Sequence, residues 1–324
     1  MKRRDFNEFA IEHIYQRPSE RGLLFYSDMD YLQFFTIICV CAVKHNIRIV
    51  SLSLMPDHFH LLISSPSSES TASFMRDCTS LFAMDFNEYC GRHGNLWQKS
   101  YGKALKISDK AKRTAIAYVG NNGAEKQLCI RTEEYRWNFL AYCNDENPFS
   151  EPVKAKAASK YLKKAQAIIR RYHDLNKPLG IHLLEKMRNG LDDREWDQLC
   201  DYVISVYNVI DYIAAIRFYG SFETMLTALN SNTGSEYEIR EEMNGLPDTN
   251  YDEIRKHLLK NGHLENARQN PRQLLRLSED ARTELAERIR QDGVAPIYQI
   301  RKYLHLPVRK PGKRNQLTVR DKSK

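Results

Sequence analysis

The chain has 324 residues, 42% of them hydrophobic and 28% charged, a balance that suits a globular protein with a substantial core. Fourteen glycines and eleven prolines exclude a fibrous or low-complexity chain, and the length suggests two domains of roughly 100 to 200 residues each. Forty-nine Lys and Arg against 41 Asp and Glu leave a net charge of +8, which favours an anionic partner: nucleic acid, RNA included, or an acidic membrane surface.

The opening MKRRDFNEF carries basic residues with no apolar core behind them, so it does not read as a signal peptide. Residues 8–16 (EFAIEHIYQ) read as a strand, followed by an irregular Arg/Gly segment, RPSERGLLFYS. Asp28 or Ser27 can then cap a helix in which Tyr31, Phe34, Phe35, Ile38 and Cys41 recur at helical spacing. Its apolar run, Phe34 to Val43, is far too short to span a bilayer, and the chain is expected in the cytoplasm without membrane contact. IRIVSLSLMPDHFHLLIS gives two strands, Ile47 to Leu54 and His58 to Ser64, hinged at Met55-Pro56-Asp57.

From Thr71 to Tyr89, Phe74, Cys78, Leu81, Phe82, Phe86 and Tyr89 mark an amphipathic helix ended by Gly91 and Gly94. LWQKSYGKALKIS supplies a further strand, and Ser108 or Asp109 caps a helix from about Lys110 to Asn122, stopped by Gly123. Gly120 inside that helix costs about 1 kcal/mol relative to Ala, which would loosen its end. The order strand, helix, strand, strand, helix, strand, helix predicts an α+β fold: a ferredoxin-like antiparallel sheet with packed helices and one helix beyond the usual set.

Near residue 150 the strand-like alternation gives way to helical patterns and a basic stretch, Lys154 to Arg171. The chain is accordingly divided into residues 1–150 and a mainly α-helical part, 151–324. In the latter, Trp196 to Phe218 and Asp280 to Arg290 read as helices, no repeat period is evident, and Arg301 opens a basic tail expected to fray. Residues 279–307 resemble helices supporting a helix-turn-helix, without a clear recognition helix, so this half is either DNA-binding or a helical scaffold. The seven cysteines are scattered and include no CxxC pair, which argues against a disulfide framework and a zinc ribbon.

His58 and His60 stand two apart in a strand, where side chains alternate, so both imidazoles leave one face about 7 Å apart at the backbone and can converge on one metal ion. Taken alone, an HxH more often reflects two histidines packed in or beside a sheet. Tyr118 and Asn122 are at i and i+4 and project a phenol and a carboxamide from one face of the following helix. Arg17, Arg21, Lys99, Lys103 and Lys106 are candidate phosphate contacts, and Trp97 or Tyr101 could stack on an unpaired base. Asp57, beside His58, is a turn residue or a support for that histidine.

HIYQRPSERGLLFYSDMDYLQFF, LMPDHFHLLIS, LWQKSYGKAL, AIAYVGNN and the aromatic EYRWNFLAY occur in one consistent order over residues 8–143. In this the chain resembles the HUH single-tyrosine transposases, and among them the REP-associated tyrosine transposases. The resemblance implies that His58 and His60 are paired metal ligands, Tyr118 the nucleophile, and Asn122 the third protein ligand. The family commonly has Pro after this Asn; here Gly123 follows, which leaves Asn121 as a rival.

A phenol with a pKa near 10 needs a metal ion to polarise the phosphate it attacks, and imidazole, amide oxygen and water suit Mg²⁺ or Mn²⁺. The implied activity is strand transfer on single-stranded or hairpin DNA through a 5′-phosphotyrosine, by a monomer or a homodimer. The competing readings are a domesticated DNA-binding protein of the same fold without turnover, and a replication initiator or relaxase sharing the HxH chemistry.

Overall fold

The computed structural model describes residues 10–19, 22–98, 100–154, 156–231 and 247–308. Arg21, Lys99 and the tail from residue 309 lie outside the described residues.

Four strands, β1 (Ile11–Gln16), β2 (Arg48–Met55), β3 (His58–Ser64) and β4 (Gly102–Lys106), form one antiparallel sheet in the order β2-β3-β1-β4. Helices α1 (Asp28–His45), α2 (Ser68–Cys90) and α3 (Asp109–Glu125) alternate with them as the ferredoxin-like reading requires. The period of two in β3 divides its side chains between two cores. Phe59, Leu61 and Ile63 join α1 and α2, with Phe34 meeting Phe59 at a ring-centroid distance of 5.0 Å, whereas Leu62 joins α3 in a second cluster with Ile116 and Val119.

Local chemistry sets the helix ends. Ser108 caps α3 by accepting the Ala111 amide, and Asn46 in the left-handed region closes α1. α3 runs past the stop expected at Gly123. Glycine serves close packing there: a Cβ would fall 2.6 Å from the Tyr135 ring, and one at Gly120 would fall 2.5 Å from Leu229.

The remainder is helical: α4 (Lys160–Asp174), α5 (Ile181–Asn189), α6 (Asp193–Tyr207), α7 (Tyr212–Ile216), α8 (Phe222–Ser231), α9 (Asn250–Lys260), α10 (Glu279–Gln291) and α11 (Ile297–Tyr303). The single helix expected from Trp196 to Phe218 is therefore two. Its break has a cause: Asp211 donates its amide to the Ile49 carbonyl on the edge strand β2. Within the basic stretch, α4 buries Leu162, Ala165 and Ile169 and leaves Lys160, Lys163, Lys164, Arg170 and Arg171 exposed. Among the described residues no helix is long and apolar enough to cross a membrane.

Element type changes near residue 150, while the apolar core continues across it. Trp137 stacks on Tyr31 at 4.4 Å and Phe139 on Phe35 at 4.3 Å, and α1 in turn packs against α5 and α6. Arg272, fully buried, reaches Asp30 of α1 at 3.0 Å and Asp85 of α2 at 3.2 Å.

The expectation of a fraying tail from Arg301 fails for its first residues, because Tyr303, Leu304, His305 and Leu306 are buried. His305 stacks on Phe86, and its Nε2–H donates to the Leu23 carbonyl at 2.7 Å. Burial pushes this imidazole down to about 4 from 6.5, against the opposing pull of that carbonyl. Between those values the unfolded chain takes up a proton that the folded chain refuses, so His305 lowers stability as pH falls through that window, by up to about 3 kcal/mol. His305→Gln keeps a donor for Leu23 without the titration. Its urea midpoint should therefore lose less between pH 6.5 and pH 4 than that of the unsubstituted chain; equal losses would show that His305 is protonated in the fold.

Candidate active site

His58 and His60 leave the same face of β3, with Phe59 and Leu61 on the other. The register extends this face across β1, since Tyr15 pairs with His60 and His13 pairs with Leu62. α3 covers it and brings in Tyr118. The ring centroids lie 4.9 Å apart for His58–His60, 5.2 Å for His60–Tyr118 and 5.7 Å for His13–Tyr118. All four side chains are buried. Tyr15 lies directly over Gly102 of β4, where a Cβ would fall 2.1 Å from its ring, so only glycine lets the tyrosine settle beside His60.

Each histidine is held by its Nδ1. His58 Nδ1 is 2.6 Å from Asp57 Oδ1, and His60 Nδ1 is 3.0 Å from His13 Nε2. Nε2, buried in both rings, is the nitrogen that would meet a metal, the usual division of labour in metal-binding histidines. Of the two asparagines, Asn121 has its Oδ1 occupied by the Thr132 hydroxyl at 3.2 Å. Asn122, one turn beyond Tyr118, has a buried Nδ2 with no hydrogen-bond partner among the described residues. No group of three or more His, Cys, Asp or Glu among the described residues is placed to hold a metal by itself. Two imidazoles completed by amide, water or phosphate oxygens would fit Mg²⁺ or Mn²⁺ in an open site.

The turn before β3 carries a charged residue, Asp57, that is partly buried. Burial by itself would raise the Asp57 carboxyl; Lys302 of α11 and His58 instead hold it well below the usual carboxylate range. Asp248, close by, is pushed up to about 6 by burial and by the charge of Asp57.

The side chains offered as DNA contacts fare unevenly. Trp97 is a core residue: it packs against Phe34, Phe59 and Phe82 and donates its indole N–H to the Thr79 carbonyl, so it is not available to stack on a base. Lys103 is committed to a buried ion pair with Glu12 at 2.6 Å, and so is not a surface phosphate contact. Lys106 is buried as well, while Arg17 and Tyr101 are half-buried. On α11, Gln299, Ile300, Lys302 and Tyr303 face inward.

His13, Asp248 and Lys302 were not singled out by the sequence reading. For His13 a signal existed: in EHIYQ it alternates with Tyr15, and the pairing of β1 with β3 puts both on the face of the HxH. The positions of Asp248 and Lys302 depend on packing between segments more than 190 residues apart, for which no local pattern exists.

A ferredoxin-like sheet presenting an HxH pair to a helix-borne tyrosine agrees with what the resemblance to the HUH single-tyrosine transposases implies. Residues 10–122 match the family model described as IS200-like transposase, a span that begins at β1 and ends at Asn122. Over that span the chain is similar to the IS200-like transposases. No curated protein matches the chain. Among solved structures, a REP-associated tyrosine transposase bound to a REP hairpin is similar at 16% identity and a TM-score of 0.37, over 42% of this chain and 80% of that one.

Proposed function

We propose that the chain is a metal-dependent DNA strand transferase that cuts and rejoins single-stranded or hairpin DNA, with Tyr118 as nucleophile. The observation that carries this reading is the shared face: Tyr118 lies 5.2 Å, ring to ring, from one of two co-facial histidines whose Nδ1 atoms are already engaged. His58, His60 and Asn122 would hold Mg²⁺ or Mn²⁺, which supplies charge stabilisation to the phosphate under attack. His13 and Asp57 orient the two imidazoles. The Tyr118 oxygen forms a bond to phosphorus as the bond to the 3′ oxygen breaks, and the phenolic proton ends, in net terms, on that 3′ oxygen. A 5′-phosphotyrosine and a free 3′-hydroxyl result, so rejoining needs no external energy source. The exposed cations of α4, and Arg17, are the surfaces proposed to meet the DNA backbone.

The test is incubation of the full chain with 5′- or 3′-labelled hairpin-bearing single strands and Mn²⁺, followed by denaturing electrophoresis. A covalent adduct carrying the label of the downstream strand is expected, lost on chelation and in His58→Ala and His60→Ala. Binding without any adduct, in every divalent metal tried, would favour the DNA-binding protein without turnover. An adduct that persists undiminished in chelator would remove the metal from the reading.

A further inference from the structure

Asp57 occupies the turn Pro56-Asp57 between β2 and β3, immediately before His58. Its two oxygens have different partners. Oδ1 faces His58 Nδ1 at 2.6 Å, and Oδ2 takes the ammonium of Lys302, which arrives from α11 some 245 residues away. Lys302 is buried, a costly position for an ammonium, and the Asp57 carboxylate is what offsets that cost.

The helix bearing Lys302 is itself fixed. Tyr26 donates its hydroxyl to the Tyr303 carbonyl at 2.7 Å, His305 donates to Leu23 at 2.7 Å, and Gln299 meets Asn250 at 2.6 Å. The Tyr251 ring lies 6.0 Å below the ammonium. Lys302 is thus presented to the turn by a rigid frame drawn from both halves of the chain.

We propose that Lys302 is a positioning residue for the metal centre: by holding Asp57 from behind, it fixes the ring plane and tautomer of His58 so that Nε2 faces the metal. A carboxylate with one oxygen pinned by an ammonium keeps the other as a directed acceptor. His58 then donates from Nδ1 and has no second orientation to adopt. The inference gives the C-terminal half a share in the reaction, and it rests on the metal-dependent reading above.

The test uses the full chain and Mn²⁺ as probe, its binding followed by electron paramagnetic resonance in the absence of DNA. Lys302→Met should weaken Mn²⁺ binding about 10- to 100-fold, the range typical for lost support of a metal-binding histidine, with hairpin binding little changed; the melting temperature should fall as well, because Asp57 loses its buried partner, so binding is measured well below it. Lys302→Arg should recover most of the affinity. An affinity in Lys302→Met equal to that of the unsubstituted chain overturns the proposal, as does a loss of Mn²⁺ affinity matched by an equal loss of hairpin binding. Should Lys302→Met not fold, the same comparison is made with Lys302→Gln under the same criteria. His58→Ala separates this inference from its foundation. If the unsubstituted chain and His58→Ala bind Mn²⁺ alike, the metal reading fails and this proposal with it; if binding depends on His58 and not on Lys302, only this proposal fails.

Discussion

Tyr118→Phe is expected to abolish the covalent adduct and strand cleavage, by on the order of 10⁵-fold or more, the scale reached when a covalent nucleophile is deleted. The substitution removes one oxygen and keeps the ring, whose packing against His60 and His13 at 5.2 and 5.7 Å is unaffected. Hairpin binding and Mn²⁺ affinity should therefore stay within about threefold of the unsubstituted chain, a shift under 1 kcal/mol. The measurement is adduct formation in a single turnover beside binding of the same strand. An adduct from Tyr118→Phe would make another tyrosine the nucleophile, and Tyr15, on the same sheet face with its ring 6.1 Å from His60, would be examined next.

Arg272→Ala is expected to destabilise the fold by about 3 to 5 kcal/mol, the cost of breaking a buried pair by removing one partner. Arg272 has no exposure, and its guanidinium joins Asp30 and Asp85 while lying 4.6 Å from the Phe86 ring and 4.5 Å from that of Tyr89. Without it, Asp30 keeps only neutral donors among the described residues, namely Asn270, the amides of Tyr26 and Ser27, and the Ser27 hydroxyl. Arg272→Lys should recover little, since a single ammonium cannot span two carboxylates as a planar fork does. Asp30→Asn combined with Arg272→Leu should recover part of the loss by removing both charges. Urea midpoints measure all three variants. A loss below 1 kcal/mol in Arg272→Ala would mean that Asp30 finds another partner or is neutral in the fold.

The sheet and its helices were legible because both periods are clean. Alternation in HFHLLIS, and the spacing of Phe74, Cys78, Phe82 and Phe86, leave little choice of element, and the tight turn at Pro56-Asp57 forces β2 and β3 together. The pairing of His58 with His60 on one face follows from the same alternation. What was not legible depends on segments meeting in space. Trp97 looks like an exposed stacking residue among lysines, yet the bridge from Pro18 to Trp97 turns it into the core. Lys103 looks like a phosphate contact, yet the β1–β4 register sets it beside Glu12. The rivalry of Asn121 and Asn122 turns on Thr132, which lies in a turn that no periodicity announces.

Arg272 and Asp30 are 242 residues apart in the chain and in contact in the fold. Synthesis runs from the N-terminus at about 5 to 20 residues per second. Roughly 10 to 50 seconds therefore separate the emergence of α1 from that of the guanidinium that neutralises its buried carboxylate. In that interval Asp30 cannot be buried as a paired charge, and α1 cannot settle fully against α2. The nascent α/β half is thus held back from its final packing until most of the helical half exists. A ribosome that stalls or terminates before residue 272 would release a chain with an unfinished core, suited to removal by proteases.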